Sequence, residues 1–352
     1  MVDFGKGIGN ERSKRFLVVS TTAIGDTLMG TPALRALRES FPESKIDVLV
    51  NAQKREILLG NPHITRILTY RNNAFYRGFL FLKALGLYYD HVLVFHAHED
   101  IWKILKKVRY GDCYNRQNYE DVTRRVFLLD SLPRHSIQKR LALVEKVGGI
   151  SAGNYHYDYL LPSKQIQWAT EQLAKWGVAP GERIVGMQLG ATDLFKCWPV
   201  EFFAEVARNL HAHYGVKIYL NAFRREKNLV HRFRKIVGDG YILQAVSTNL
   251  SQAAALIQAC SVFISIDTGP MHLAIALGVP LIGLFCPTMV EDTGPLEYSR
   301  AIVIRKPLLC DPCLTRKCTD NFCMRQISVE EVCLAAKRIL RGDLWVAKRE
   351  MN

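Results

Sequence analysis

Residues 259–288, ACSVFISIDTGPMHLAIALGVPLIGLFCPT, decide how this chain is read. Val262, Phe263, Ile264 and Ile266 form a short apolar run rich in β formers, the pattern of a buried strand. Asp267-Thr268-Gly269-Pro270 ends that run, and Met271 to Leu277 reads as a helix. Gly278-Val279-Pro280 closes the helix, and Leu281 to Phe285 is the next strand. A strand running into such a turn places a helix N-terminus at the C-terminal end of a sheet. Pro270 suits the first helical position, where its missing N–H would have had no helical partner. The free amides of that first turn and the helix dipole then suit a phosphate. An ordinary strand–helix–strand unit with a glycine in its turn has the same pattern, and the turn alone does not separate the two.

Outward from this segment, composition sets the class. The 352 residues, 49% hydrophobic and 23% charged, are those of a soluble globular chain, with about two domains at ~150 residues each. No run reaches the roughly 18 apolar residues of a membrane span. Residues 1–15 lack the apolar core of a secretory signal, so a cytoplasmic location is expected. Nine cysteines in such a chain point to free thiols in a reducing compartment. The net charge of +14 calls for an anionic partner or a solvation role. Basic residues mix with aromatics from Tyr70 to Lys83 and cluster at Lys103, Lys106, Lys107 and Arg109. None of the usual nucleic-acid modules is present, which favours an anionic membrane surface or a phosphorylated substrate over nucleic acid.

The pattern divides into two α/β halves. In the first, Phe16 to Ser20, Ile46 to Val50, Ile64 to Thr69 and His91 to Phe95 read as strands. Helical stretches at Thr27 to Ser40, Gly78 to Leu87 and Ile101 to Lys107 lie between them. In the second, Ile184 to Leu189 and Val216 to Leu220 join the two strands of the opening segment. Helices are expected there at Lys164 to Trp176, Pro199 to Tyr214, Ser251 to Cys260 and Ser328 to Leu340. Strands alternating with helices imply parallel sheets covered on both faces. Leu160-Leu161-Pro162-Ser163 is the linker-like break, so the domains are expected at 1–162 and 163–352. Two Rossmann-like halves facing across a cleft would bind ligands at the C-terminal edges of their sheets; this is the glycosyltransferase-B type of architecture, which other two-domain proteins share.

The residues able to do chemistry fall on those edges. Gly25-Asp26 follows the first strand. Asp26 is either an N-terminal helix cap or a carboxylate placed to accept a proton from an attacking hydroxyl. Thr192 and Lys196 bracket the loop after the strand ending at Leu189 and could hold a diphosphate; a turn threonine and a surface lysine are the alternative. His96 and His98 follow a strand and are candidates for acceptor contact, against an ordinary solvated role. Cys310, Cys313, Cys318 and Cys323 lie close enough in sequence for a structural zinc or iron–sulfur site, or for a packed, reduced loop.

Together these residues resemble glycosyltransferase family 9, the ADP-heptose:lipopolysaccharide heptosyltransferase family. FLVVSTTAIGDTLMGTPALRALRESFP is similar to the family's first strand, Gly-Asp turn and following helix. GATDLFKCWPVEFFAEVA resembles its Gly-Ala…Lys-x-Trp-Pro segment, and IDTGPMHLAIALGVPLIGLFCPT its Asp-Thr-Gly…His-Leu signature. The cysteine segment followed by Met324 and Ile327 also resembles a subset of the family. The resemblance implies an N-terminal acceptor-binding and a C-terminal donor-binding domain, and an inverting transfer that requires no cofactor or metal. It implies Asp26 as the general base; Gly25 and His96 are read toward the acceptor from their sheet-edge positions alone. Thr192, Lys196, Asp267, Thr268, Gly269, Pro270, Met271 and His272 match donor positions. Where the family often carries a Gly-Gly-Pro-like turn with an acidic residue for the ribose, this chain reads Asn221-Ala222-Phe223-Arg224-Arg225-Glu226: either Glu226 is the shifted counterpart or the nucleotide is gripped differently. The implied partners are ADP-heptose and a lipid-linked core saccharide of lipopolysaccharide; the basic first half is expected to dock the enzyme peripherally on the inner face of the cytoplasmic membrane, where that acceptor lies. A sugar-nucleotide epimerase and a non-catalytic nucleotide- or metal-binding protein are the competing readings.

Overall fold

Why the apolar runs become buried strands is plain from their register. The computed structural model describes residues 13–71, 87–115, 126–128, 133–244, 248–310, 313, 318, 320 and 322–343. Its first sheet comprises β1 (Arg15–Ser20), β2 (Lys45–Asn51), β3 (Arg66–Tyr70), β4 (Tyr88–His96), β5 (Arg109–Asn115) and β6 (Val126–Leu128). They lie in the order β3-β2-β1-β4-β5-β6, and every neighbouring pair is parallel. The second sheet comprises β7 (Ile184–Gln188), β8 (Lys217–Asn221), β9 (Ile242–Gln244), β10 (Val262–Ile266), β11 (Leu281–Phe285) and β12 (Ala301–Arg305). Its order, β9-β8-β7-β10-β11-β12, repeats the same winding. Parallel strands covered on both faces have no solvent side, which is why β7, β10 and β11 are buried at every residue.

In each sheet the winding reverses between two strands, β1 against β4 and β7 against β10. Ligands in such sheets bind beyond the carboxyl ends of the strands at that reversal. The first sheet presents Ser20 there in register with His96, and Thr21 N donates to His96 O at 2.9 Å. The second presents Gln188 and Ser265, paired in register, with the turns that follow each.

The helices that cover the sheets are closed by local chemistry. Ser328 caps Val329–Arg341: its hydroxyl accepts from Glu331 N at 3.3 Å, and the Glu331 carboxylate accepts from Ser328 N at 2.9 Å. Gly342, at φ 81°, takes the left-handed position that ends this helix. That helix buries Val332, Ala336 and Ile339 on the core that Val200–Tyr214 also covers, and the Trp198 indole donates to Ile327 O at 3.0 Å. In the first unit, Ile101, Trp102 and Leu105 of the helix Glu99–Leu105 join a core with β4 residues Val92 and Val94.

The chain divides into two compact units, and the division is not a single cut at 162/163. The first holds Met1–Thr22, Gly30–Pro133 and Ile137–Asn154; the second holds Ala23–Met29, Arg134–Ser136 and Tyr155–Asn352. Asp26 is thus part of the second unit although it follows the first strand of the first. The expected helix Thr27 to Ser40 is two helices, Ile24–Leu28 and Thr31–Ser40. Pro32, which has no N–H to donate to the preceding turn, starts the second one afresh. Other elements were not foreseen: strands β5, β6, β9 and β12, and the helices Ser136–Lys146, Lys227–Val237 and Val290–Thr293. Tyr70 is the buried last residue of β3, and Arg71 is exposed. The rest of the basic–aromatic stretch, with Phe75, Tyr76, Arg77, Phe79, Phe81 and Lys83, lies outside the described residues, as does the expected helix from Gly78. Among the described residues no helix is long and apolar enough to cross a membrane.

Candidate functional site

Two helix N-termini of the second unit meet side by side. One belongs to Ile24–Leu28, the other to Gly269–Ala276, with Pro270 in the latter's first turn as the sequence suggested. Glycine at each contact point permits the approach. A Cβ on Gly25 would lie 2.5 Å from His272 Cδ2, and one on Gly269 would lie 2.8 Å from Ile24 Cβ. Both distances are below any real contact, so a side chain at either position would push the helices apart.

Asp26 sits in the first turn of its helix, half-buried. Its Oδ2 accepts from Ala23 N at 3.4 Å, a long capping bond. His272 is buried at 3% exposure, and the Tyr157 hydroxyl lies 3.1 Å from its Nδ1. Burial drives the His272 pKa down to about 4, against the pull of Asp267 and Asp26 and with a further push from His135 and Lys196. The ring is therefore neutral at physiological pH. His135, itself buried, places Nε2 3.1 Å from Gly294 O.

Lys196 closes the short 3-10 turn Leu194–Lys196 after β7, and Asp267 directly follows β10. The two strands are neighbours, so the sheet itself brings these side chains together: Lys196 Nζ lies 3.2 Å from Asp267 Oδ2. Lys196 is 21% exposed and Asp267 8%, so the ammonium is reachable while its partner is not. The Thr293 hydroxyl donates to Asp267 Oδ1 at 3.4 Å. Thr268 precedes the helix, with its hydroxyl donating to Ile266 O at 3.2 Å. Thr192 is exposed in the loop after β7. Pro270 is buried, and so is Met271, which leaves only its backbone in the first turn.

Glu226 lies on the other side of the same loop, packed where a Cβ on Gly190 would be 2.9 Å from its Cγ. Its carboxylate accepts from Phe223 N at 2.8 Å and from Gln188 Nε2 at 3.3 Å, while Asn221 Nδ2 donates to Gln188 Oε1 at 2.5 Å. Burial raises the Glu226 pKa, and the Phe223 amide, Arg225 and Gln188 oppose that rise. His96 ends β4 in the first unit.

All nine cysteines are free thiols. Cys310 is exposed, Cys313, Cys318 and Cys323 are partly so, and the Cys318 thiol donates to Asp320 O at 3.1 Å. Buried Cys286 is pushed up to about 12 by burial and by neighbouring Cys323 and Cys313. Among the described residues, no three His, Cys, Asp or Glu side chains are grouped to hold a metal ion. Part of the cysteine loop, including residues 314–317, lies outside them.

Sequence reading placed Asp26, Lys196, Asp267 and His272 at sheet edges, and the fold gathers them in one unit. It missed Tyr157 and His135. The available signal for the first was the aromatic run Tyr155-His156-Tyr157-Asp158-Tyr159, just before the expected linker.

Comparison with known proteins supplies the class. The family model for glycosyltransferase family 9 (heptosyltransferase) matches residues 102–322. Lipooligosaccharide heptosyltransferase 2 of Campylobacter jejuni is 26% identical over 332 residues, covering 92% of this chain and 97% of its own. The crystal structure of a glycosyl transferase family 9 protein from Veillonella parvula superposes with a TM-score of 0.83 at 21% identity, covering 94% of this chain and 98% of that one. The E. coli ADP-heptose lps heptosyltransferase II structure gives 0.75 at 20% identity, covering 94% and 99%. These likenesses support the expected fold class, two Rossmann-like units of the glycosyltransferase-B type.

Proposed function

The chain belongs to glycosyltransferase family 9, and on that premise we propose that it moves a heptose from ADP-heptose to a saccharide of the lipopolysaccharide inner core, with inversion at the anomeric carbon. The observation that carries this reading is the meeting of Asp26, His272, Asp267 and Lys196 around two abutting helix N-termini. The printed names of the relatives, heptosyltransferases acting on lipooligosaccharide and lipopolysaccharide, supply the sugar and the acceptor class.

The donor diphosphate lies against the Lys196 ammonium, the Thr192 hydroxyl and the first turn of the helix Gly269–Ala276, with Thr268 beside it. Lys196 carries the charge, and the helix end adds its dipole without any reorganisation at the moment of reaction. Asp267 holds Lys196 in place through the ion pair. Glu226, fixed by Phe223 N and Gln188, accepts from the ribose hydroxyls. The acceptor hydroxyl, approached by the Gly25-Asp26 turn, attacks the anomeric carbon. Its oxygen forms the new glycosidic bond as the bond to the phosphate oxygen breaks, ADP leaves with the electron pair, and Asp26 takes the proton. A half-buried carboxylate in the first turn of that helix, beside Gly25, suits that task. The excess positive charge docks the protein peripherally on the anionic inner face of the cytoplasmic membrane, which vesicle co-sedimentation at low and high salt would test.

The experiment that tests the function is a product assay across nucleotide sugars, with and without truncated core acceptors. Heptosylated acceptor and ADP, formed from ADP-heptose when acceptor is present, are expected. Conversion of the sugar nucleotide without any acceptor would replace transfer by epimerisation, and no conversion at all would leave a binding protein.

A further inference from the structure

His272 is held from two sides. Its Nδ1 faces the Tyr157 hydroxyl at 3.1 Å, and the atoms nearest Gly25 are Cδ2, Nε2 and Cγ, on the other edge of the ring. Tyr157 is itself buried at 3% exposure, and its ring centroid lies 6.1 Å from that of His272. A neutral imidazole carries one proton, and which nitrogen holds it is fixed by the partner of the other. We propose that Tyr157 is a positioning residue: its hydroxyl donates to Nδ1 and so locks His272 as the Nε2–H tautomer, whose N–H edge faces the Gly25-Asp26 turn.

The consequence is electrostatic. An N–H dipole on that edge favours the ionised Asp26 carboxylate, while an unprotonated Nε2 would repel it. Among the described residues, the charged and titratable groups that act most on the ring are Asp267, Asp26, His135 and Lys196, with Tyr157 in direct contact. The two acids favour a charged imidazolium, and His135 and Lys196 oppose it. Tyr157 adds to the opposition, because a bond donated to Nδ1 exists only while that nitrogen is unprotonated. Removing the hydroxyl therefore frees the second tautomer, whose bare Nε2 disfavours the ionised Asp26 carboxylate. Neither the ring's orientation nor its packing needs to change for this to happen, since the Phe ring fills the same volume.

The proposal rests on the transfer reaction above, and two readouts separate the two. The first needs no activity: two-bond nitrogen–proton correlation spectra of histidine-labelled protein, with the His272 signals assigned from His272→Gln. A protonated Nε2 in the wild type, with loss of the single tautomer in Tyr157→Phe, is expected; a protonated Nδ1 in the wild type overturns the proposal whether or not heptose is transferred. The second is the pH–rate profile of Tyr157→Phe. A roughly tenfold fall in kcat is expected, with KM for ADP-heptose within twofold and the acid limb moved to higher pH. A purely structural Tyr157 would lower thermal stability but leave the acid limb where it was, and that result would also overturn the proposal.

Discussion

Gly25 and His272 touch through the space of a missing methyl group: a Cβ on Gly25 would lie 2.5 Å from Cδ2 of the histidine. The contact joins a turn near the start of the chain to a helix some 250 residues later, and it sets where Asp26 stands. Gly25→Ala is expected to cost about 1–3 kcal/mol of stability, the usual range for overpacking. Transfer should fall further than that loss explains, because the buried imidazole must move and Asp26 with it. Chemical denaturation beside turnover checks this; a variant unchanged in both would mean that the two helices separate without consequence.

Lys196→Ala should weaken ADP and ADP-heptose together, since both present the same phosphates. One charge-assisted contact is worth roughly 1.5–3 kcal/mol, or about ten- to a hundredfold in affinity. Calorimetry on free ADP reads it directly. Unchanged affinity would place the diphosphate elsewhere and leave Lys196 as the partner of Asp267 alone.

The pH dependence of stability follows from His272. Its pKa falls from 6.5 to about 4 on folding. Between those values the unfolded chain binds a proton that the folded chain refuses, so stability must drop as pH falls through this window and must be fully present above it. For this one group the loss is about 3 kcal/mol over the whole window. Urea midpoints at several pH values should fall less steeply for His272→Gln than for the wild type. Parallel slopes would show that the ring takes up its proton in the folded state as readily as in the unfolded one.

Much of this was legible in the chain itself, for identifiable reasons. β10, its helix and β11 could be read almost to the residue, because the strands are buried on both faces and Pro270 and Gly278 mark the helix ends. β5, Arg109–Asn115, was not, because its polar residues conceal any apolar run and it is recognisable only through its pairing with β4 and β6. β12 carries a short apolar run that is only partly buried, and its pairing with β11 is what makes it a strand. At the site, Lys196 and Asp267 were nameable singly, but their pairing depends on β7 lying beside β10, which no local pattern states. Tyr157 meets His272 across 115 positions of sequence, so its role exists only in the folded chain. Likewise, nothing near Asp26 announces that its helix packs with the second unit rather than the first.

Chelation should leave transfer intact. Lys196 and the N-terminus of Gly269–Ala276 supply the positive charge that the departing diphosphate requires, so EDTA is expected to change the rate by less than twofold. Loss of activity restored by magnesium would add a divalent ion to the mechanism.

The most direct test of the account is Asp26→Asn, assayed for acceptor-dependent release of ADP from ADP-heptose beside calorimetric ADP affinity. The side-chain amide can still accept the long bond from Ala23 N, so fold and nucleotide binding should survive. The rate should fall roughly 10²–10⁴-fold with the loss of the base. Turnover within a few-fold of wild type, at unchanged ADP affinity, would reduce Asp26 to a helix cap and contradict the mechanism at its centre.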